Sequence, residues 1–226
     1  MNKTAILLAL MGVCMIASTS EANEVYLDQL GNNSTTTIEQ VGTANKVGTG
    51  TDRASSVSGN SATITVRQTG TTNQAQYAIV GDTNTYSSTV NGNSNTTTSK
   101  CGGIGVTATG SCSNSSITET ITGNANTIST TVIGTANRTN TMVTGNTNAI
   151  TTVVESSNAN VAATLNGDNN TVTNTLAGVA GTGHVLAMNI TGSSNNITTV
   201  QSGSDATTVN LNVNGTSNTF TVRTGN

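Results

Sequence analysis

Proline and tryptophan are absent from all 226 residues, histidine occurs once, and charged residues make up only 8%. Each shortage excludes a class of chemistry. With His184 as the sole histidine, neither a nucleophilic triad nor a histidine metal site can be assembled. Its Gly-rich surroundings read as those of a solvated loop residue. Glu39, Glu119, Glu155, Asp82, Asp168 and Asp205 are scattered, with no spacing that brings two of them together as an acid–base pair. Tyr26, Tyr77, Tyr86 and Phe220 are the only aromatics, and beyond residue 22 six basic residues face nine acidic ones. Nucleic-acid binding asks for basic patches with stacking rings. The expectation is therefore a protein without catalytic residues, cofactor, metal, small-molecule substrate or nucleic-acid partner. Asp82 and Asp168 each follow a turn glycine, but the GGxGxD pattern of calcium-binding solenoids is missing, so they read as ordinary turn formers.

Thr, Asn, Ser and Gly fill most of what remains. Such monotony belongs either to a disordered chain or to a repeat array. Disorder usually brings proline and high net charge, whereas here the formal charge is −3. Residues 1–22 are set aside first. A short polar start (Asn2, Lys3), an apolar run over 5–17 and the small-x-small Ser20-Glu21-Ala22 read as a cleaved signal peptide. The apolar run is too short to span a bilayer. The remaining segment, 23–226, is expected outside the cell or on its surface. Cys101 and Cys112 then lie in an oxidising compartment, bounding a Gly-rich insertion. A disulfide between them is preferred over two free thiols, and would contribute on the order of 3 kcal/mol.

A six-residue pattern, apolar-or-Gln, x, Gly, x, x, Asn, runs through this segment. It reads QVGTAN (40–45), QTGTTN (68–73), IVGDTN (79–84), VNGNSN (90–95), ITGNAN (121–126), VIGTAN (132–137), VTGNTN (143–148), LNGDNN (165–170), ITGSSN (190–195) and VNGTSN (213–218). Degenerate copies begin at Gln29, Val57, Val153, Leu176, Gln201 and Arg223. Of the fifteen steps between first positions, eight are 11 residues and four more lie within one residue of that. Composition alone does not keep phase in this way.

Gly followed by Asn is turn chemistry, because both tolerate left-handed backbone. The turn glycines are Gly31, Gly42, Gly70, Gly81, Gly92, Gly123, Gly134, Gly145, Gly167, Gly192 and Gly215. Between turns the residues alternate: Asn126, Ile128, Thr130 and Val132 against Thr127, Ser129 and Thr131. Period two with β-branched residues means strands. The fold expected is all-β: a two-sheet parallel β-solenoid of 11-residue strand–turn units, two per coil, coils about 4.8 Å apart. Its narrow interior accepts aliphatic rows, and accepts amides where each bonds to its counterpart one coil away. Gln29, Gln40, Asn45, Gln68, Asn73, Asn126, Asn170, Asn195 and Gln201 are the candidates for such a self-assembling ladder. The three insertions, after Val47, between the cysteines and around Gly181, are expected to bulge from turns.

Residues 34–45, STTTIEQVGTAN, resemble the curlin repeat: Ser, five residues, Gln, four residues, Asn. Gln68 to Asn73 repeats its second half, and Asn23 to Gln29 supplies the matching Asn, five residues, Gln. The rhythm covers nearly the whole of 23–226, while the full chemistry covers Gln29, Gln40, Gln68 and Gln201. The resemblance implies a secreted subunit of a curli-like amyloid fibre. It also implies roles in adhesion and biofilm-type aggregation, with itself, a nucleator subunit and an outer-membrane secretion channel as partners. No cap is visible at either end of the repeat. Two other readings stay open. One is a non-polymerising solenoid adhesin on a cell surface or virion. The other is an ice-binding solenoid using outward Thr pairs such as Thr127/Ser129 and Thr171/Thr173.

Overall fold

The computed structural model describes residues 21–48, 55–102, 112–178 and 183–225, and among these it contains twenty strands and no helix. The signal-peptide reading falls almost wholly outside the described residues. In chain order the strands are β1 (Glu24–Val25), β2 (Leu27–Leu30), β3 (Thr35–Thr43), β4 (Lys46–Val47), β5 (Ser55–Ser58), β6 (Thr63–Thr71), β7 (Gln74–Val80), β8 (Thr85–Asn91), β9 (Thr96–Cys101) and β10 (Cys112–Ser113). They continue as β11 (Ser116–Thr122), β12 (Thr127–Thr135), β13 (Arg138–Thr144), β14 (Ala149–Glu155), β15 (Asn160–Asn166), β16 (Thr171–Gly178), β17 (Val185–Thr191), β18 (Asn196–Gly203), β19 (Thr208–Asn214) and β20 (Thr219–Thr224).

All strand pairings are parallel. One sheet has nine rows in the order β1-β4-β7-β9-β12-β14-β16-β18-β20, with β2, β5 and β10 completing the rows that β1, β4 and β9 begin. The other has eight, β3-β6-β8-β11-β13-β15-β17-β19. The chain crosses from one sheet to the other at every turn. This is the two-sheet parallel β-solenoid expected from the 11-residue repeat. Thr127 sits over Ala149 and Ala149 over Thr171, a 22-residue coil. Where the cysteine-bounded insertion intervenes, the step from Thr85 to Ser116 grows to 31.

The alternation read from the sequence is the alternation of the pleat. Along β12, Ile128, Thr130 and Val132 are buried while Thr127 is exposed. Inward residues form columns, such as Ile128, Ile150, Val172 and Ile197, all buried. Burying one such side chain contributes about 1.5–3 kcal/mol relative to leaving it exposed. The central inward column is polar instead: Ser99, Thr130, Thr152, Asn174 and Thr199 face the gap between the sheets. Within it Thr199 Oγ1 donates to Asn174 Oδ1 at 2.7 Å and Asn174 Nδ2 to Thr152 Oγ1 at 3.4 Å, while Ser99 and Thr130 donate across the gap to the other sheet.

The insertions are not all placed as expected. Those bounded by Cys101–Cys112 and by Gly178–Gly183 open at the same corner. The first opens inside a row. Lys46 and Val47 stack on Glu24 and Val25, and Ser55 resumes the row opposite Leu27. Residues 49–54 themselves lie outside the described set. A strand can be interrupted here because Gly48 N–H and Ser55 N–H still reach the neighbouring rows, at Ala75 O (2.7 Å) and Tyr26 O (2.9 Å).

Candidate self-assembly site

Each regular turn repeats one local solution. The glycine takes positive φ, and at Gly145 (φ 132) an added Cβ would collide with the Gly167 carbonyl of the next coil. Two residues on, the chain enters the left-handed region at residues that include Ala44, Ser94, Ala125 and the β-branched Thr72, Thr83 and Thr147 (φ 58–59 for the three threonines). Such backbone costs on the order of 1–3 kcal/mol for a residue of that type. It is held because the amide is claimed by the preceding coil: Thr147 N–H donates to Asn124 O at 2.9 Å.

The asparagine that follows points inward and builds a ladder. Asn148 donates its N–H and its Nδ2 to Asn126 Oδ1, both at 3.0 Å, and its second Nδ2 proton to Gly167 O at 2.7 Å. The same set recurs at Asn73, Asn95, Asn126, Asn170 and Asn195. Asn23 opens the column by accepting from Asn45 N–H, and Asn218 closes it on Asn195. Each of these column amides thus finds donors and acceptors that a neighbouring coil supplies. Of the ladder residues expected from sequence, Asn45, Asn73, Asn126, Asn170 and Asn195 are in this column. Asn95, Asn148 and Asn218 belong with them, and the recurrence of Gly-x-x-Asn is the signal that includes all three.

The glutamines behave differently. Gln40 Nε2 reaches Gln68 Oε1 at 2.9 Å, a ladder of one step, and Gln68 turns to Lys46 O. Gln29 is exposed, lies opposite Val57, and bonds locally to Ser34 O and Thr36 Oγ1. Gln201 is buried but stacks between Leu176 and Thr224, so its amide goes to Val185 O and Thr207. Neither belongs to an amide ladder. A glutamine column needs glutamine in successive coils, and Val57, Leu176 and Thr224 take the neighbouring places instead.

The opposite corner carries a mixed column: Ser34, Ala62, Asn84, Ser115, Asn137, Ala159, His184 and Thr207. Here His184 corrects the sequence reading. It is fully buried, its Nδ1 lies 2.9 Å from Thr207 Oγ1, and it stands where the ladder asparagine stands elsewhere. A second column lies outside, one residue after the glycines. Asn124 N–H and Nδ2 donate to Asn146 Oδ1, and Asn146 does the same to Asp168 Oδ1. Asp82 receives Asn60 in the same manner. A carboxylate has no proton to pass on, and both aspartates are followed one coil later by a serine, Ser113 or Ser193, whose Oγ accepts the Asp N–H.

Two further groups sit in the core. Cys101 and Cys112 are joined in a buried disulfide, Cα–Cα 5.2 Å. Glu119 is buried between the sheets, accepting from Ser99 Oγ (2.7 Å), Thr130 Oγ1 (2.8 Å) and Tyr86 OH (3.3 Å). Burial raises its pKa above the ordinary 4.5, against the three hydroxyl hydrogen bonds that lower it. Burial likewise raises Tyr86, helped by the Glu119 charge, and Tyr77, whose ring lies 5.3 Å from that of Tyr86. Alternation with Ile117 and Ile121 gives Glu119 an inward position, but spacing could not give its partners, which come from β8, β9 and β12. Among the described residues no cluster of three or more His, Cys, Asp or Glu is placed to hold a metal.

At the two ends of the stack the pattern stays open among the described residues. The outer edges of β1, β2 and β3 at one end and of β19 and β20 at the other have no strand partner. Val25, Tyr26, Leu27, Leu30 and Val41 in the first coil and Phe220 in the last row are exposed, Leu30 at 70%, and only Met142 joins them from the interior rows. No protein family, curated protein or solved structure matches this chain.

Proposed function

We propose that this chain is a secreted structural subunit of a curli-like amyloid fibre that grows by stacking copies end to end. One observation carries the reading: exposed large apolar residues gather in the first and last rows, beside strand edges whose N–H and C=O groups have no partner among the described residues. An unpaired parallel edge of this length is a template for another strand. The interior ladder already stabilises such a contact at each coil, so a junction between copies asks for no new chemistry. Filament formation by residues 23–226 tests this. The expected result is unbranched filaments with a meridional reflection near 4.8 Å. A species that stays monomeric at high concentration overturns it.

Ice binding has one observation in its favour. Thr98, Ser129, Thr151, Thr173, Thr198 and Thr221 occupy one outward column, so their hydroxyls repeat at every coil. Thermal hysteresis at micromolar protein is the measurement, and its absence ends this reading.

A further inference from the structure

We infer that adjacent copies in such a fibre are related by a half-turn about its axis, so that the two sheets exchange places at every junction. The inference rests on the end-to-end stacking proposed above. It follows from parity: the described solenoid has nine rows in one sheet and eight in the other.

Consider first a copy added without rotation. Its β1–β2 row would land on β20, and its β3 would belong above β19. One row of the second sheet would then be missing between β19 and the new β3, a gap of about 4.8 Å. The inward Val209, Leu211 and Val213 of β19 would face that gap, along with seven residues' worth of backbone polar groups. Unsatisfied buried backbone groups cost about 1–3 kcal/mol each, so such a junction is strongly disfavoured.

Now rotate the incoming copy by a half-turn. Its β1–β2 row continues the second sheet on β19, and its β3 continues the first sheet on β20, with no row missing. The two corners allow this exchange because both are built from the same 11-residue unit, with strands of about equal length. Asn23 of the new copy then stands over Thr207, as ladder residues stand over one another within the chain. Val25 and Leu27 fall on Val209 and Leu211, and Ile38 on Val222, all of them inward positions. Glu39 falls on Arg223. Within the chain Glu39 already pairs with Arg67 one coil on, at 3.3 Å, so the junction repeats a contact that the fold uses. Without rotation Arg223 would meet Asp28 instead.

Cryo-electron microscopy of the filaments decides the matter. The half-turn gives about 41 Å of rise per copy and a true repeat of about 82 Å, taking about 4.8 Å per coil. The corner bearing Cys101–Cys112 then alternates between opposite sides of the filament. A repeat of one copy, with that corner always on one side, overturns the inference while leaving the fibre reading intact. Failure to form filaments removes the fibre reading itself. Charge exchange supplies a second measurement. Arg223→Glu is expected to slow elongation about fivefold through like-charge contact. Adding Glu39→Arg restores the rate, whereas adding Asp28→Arg does not. Rescue by Asp28→Arg alone refutes the half-turn.

Discussion

Replacing Glu119 with Gln should make the folded chain more stable at neutral and alkaline pH and no more stable in acid. Glu119 lies at the middle inward position of β11, flanked in its own sheet by Ser88 and Thr141 and faced by Ser99 and Thr130 of the other. Its three hydrogen-bond partners are hydroxyls, and none carries a compensating charge. Tyr86 is the ionisable group in contact, and its own pKa is raised, so it stays neutral through the physiological range. Lys100 of β9 and Arg138 of β13 stand on the exposed faces of their strands.

A carboxyl whose pKa is raised in the folded state binds its proton more tightly there than in the unfolded chain. The stability this contributes is complete below the unfolded value, near 4.5, and is lost as pH rises through the folded value. Each unit of separation corresponds to about 1.4 kcal/mol. Gln keeps the volume and keeps an oxygen for Ser99 and Thr130, while its amide needs only the Tyr86 hydroxyl to turn and accept. The expected gain is about 1–3 kcal/mol at pH 8, shrinking towards zero at pH 4. Urea unfolding followed by circular dichroism, at concentrations too low for assembly, measures it. Taking the difference between the two proteins cancels the slopes of all other carboxylates. A difference independent of pH, or a Gln variant destabilised at pH 8, refutes the argument.

Four other changes probe the remaining parts of the scaffold. Asn148→Ala removes two side-chain donors and an acceptor from the middle of the ladder, and should lower stability by about 2–4 kcal/mol in the same urea assay. Thr147→Asn places in the left-handed region a residue that tolerates it, and should raise the thermal midpoint by an amount equivalent to about 1 kcal/mol. Cys101→Ser with Cys112→Ser should cost about 3 kcal/mol and leave filament assembly intact, as read by sedimentation. His184→Asn restores the ladder residue at its corner. It removes the buried, unpartnered Nε2 and should stabilise by about 1 kcal/mol in thermal unfolding, where a solvated loop position would show no change.

The architecture was legible because the repeat is short and its turn residues are distinctive. Gly and Asn three apart, with alternation between, leave little besides a parallel coil, and the same spacing places Asn95, Asn148 and Asn218 in the ladder. What escaped were residues whose role depends on the neighbouring coil rather than on their own unit. Gln29 and Gln201 match the curlin-like consensus, yet the residues above and below them are Val57, Leu176 and Thr224, so no amide is there to bond. His184 follows a Gly-rich insertion, and that setting concealed that its position is the ladder site of its corner. The row broken after Val47 looked like a turn because the insertion itself is rich in glycine and threonine. Glu119 keeps the inward parity of Ile117 and Ile121, but alternation alone could not name the hydroxyls that receive it, because they lie on three other strands.

That glutamate also bears on how so repetitive a chain finds one register. A coil looped out near the middle of the chain would keep the asparagine ladder, the glycine column and most of the aliphatic contacts, because these recur every 22 residues or so. Periodicity that stabilises the stack therefore does little to choose among stacks. Glu119 is not periodic. Its donors are Tyr86, Ser99 and Thr130, on three different strands, and a shift by one coil would set its carboxylate against other residues of the columns, without that set of hydroxyls. An uncompensated buried carboxylate costs several kcal/mol, more than the roughly 0.5–1.5 kcal/mol by which an Ile and a Val in neighbouring coils differ. The group that lowers stability at neutral pH is thus the group that makes mispaired coils worse still. On this account the Gln variant gains stability and loses discrimination together, because both follow from removing the same charge.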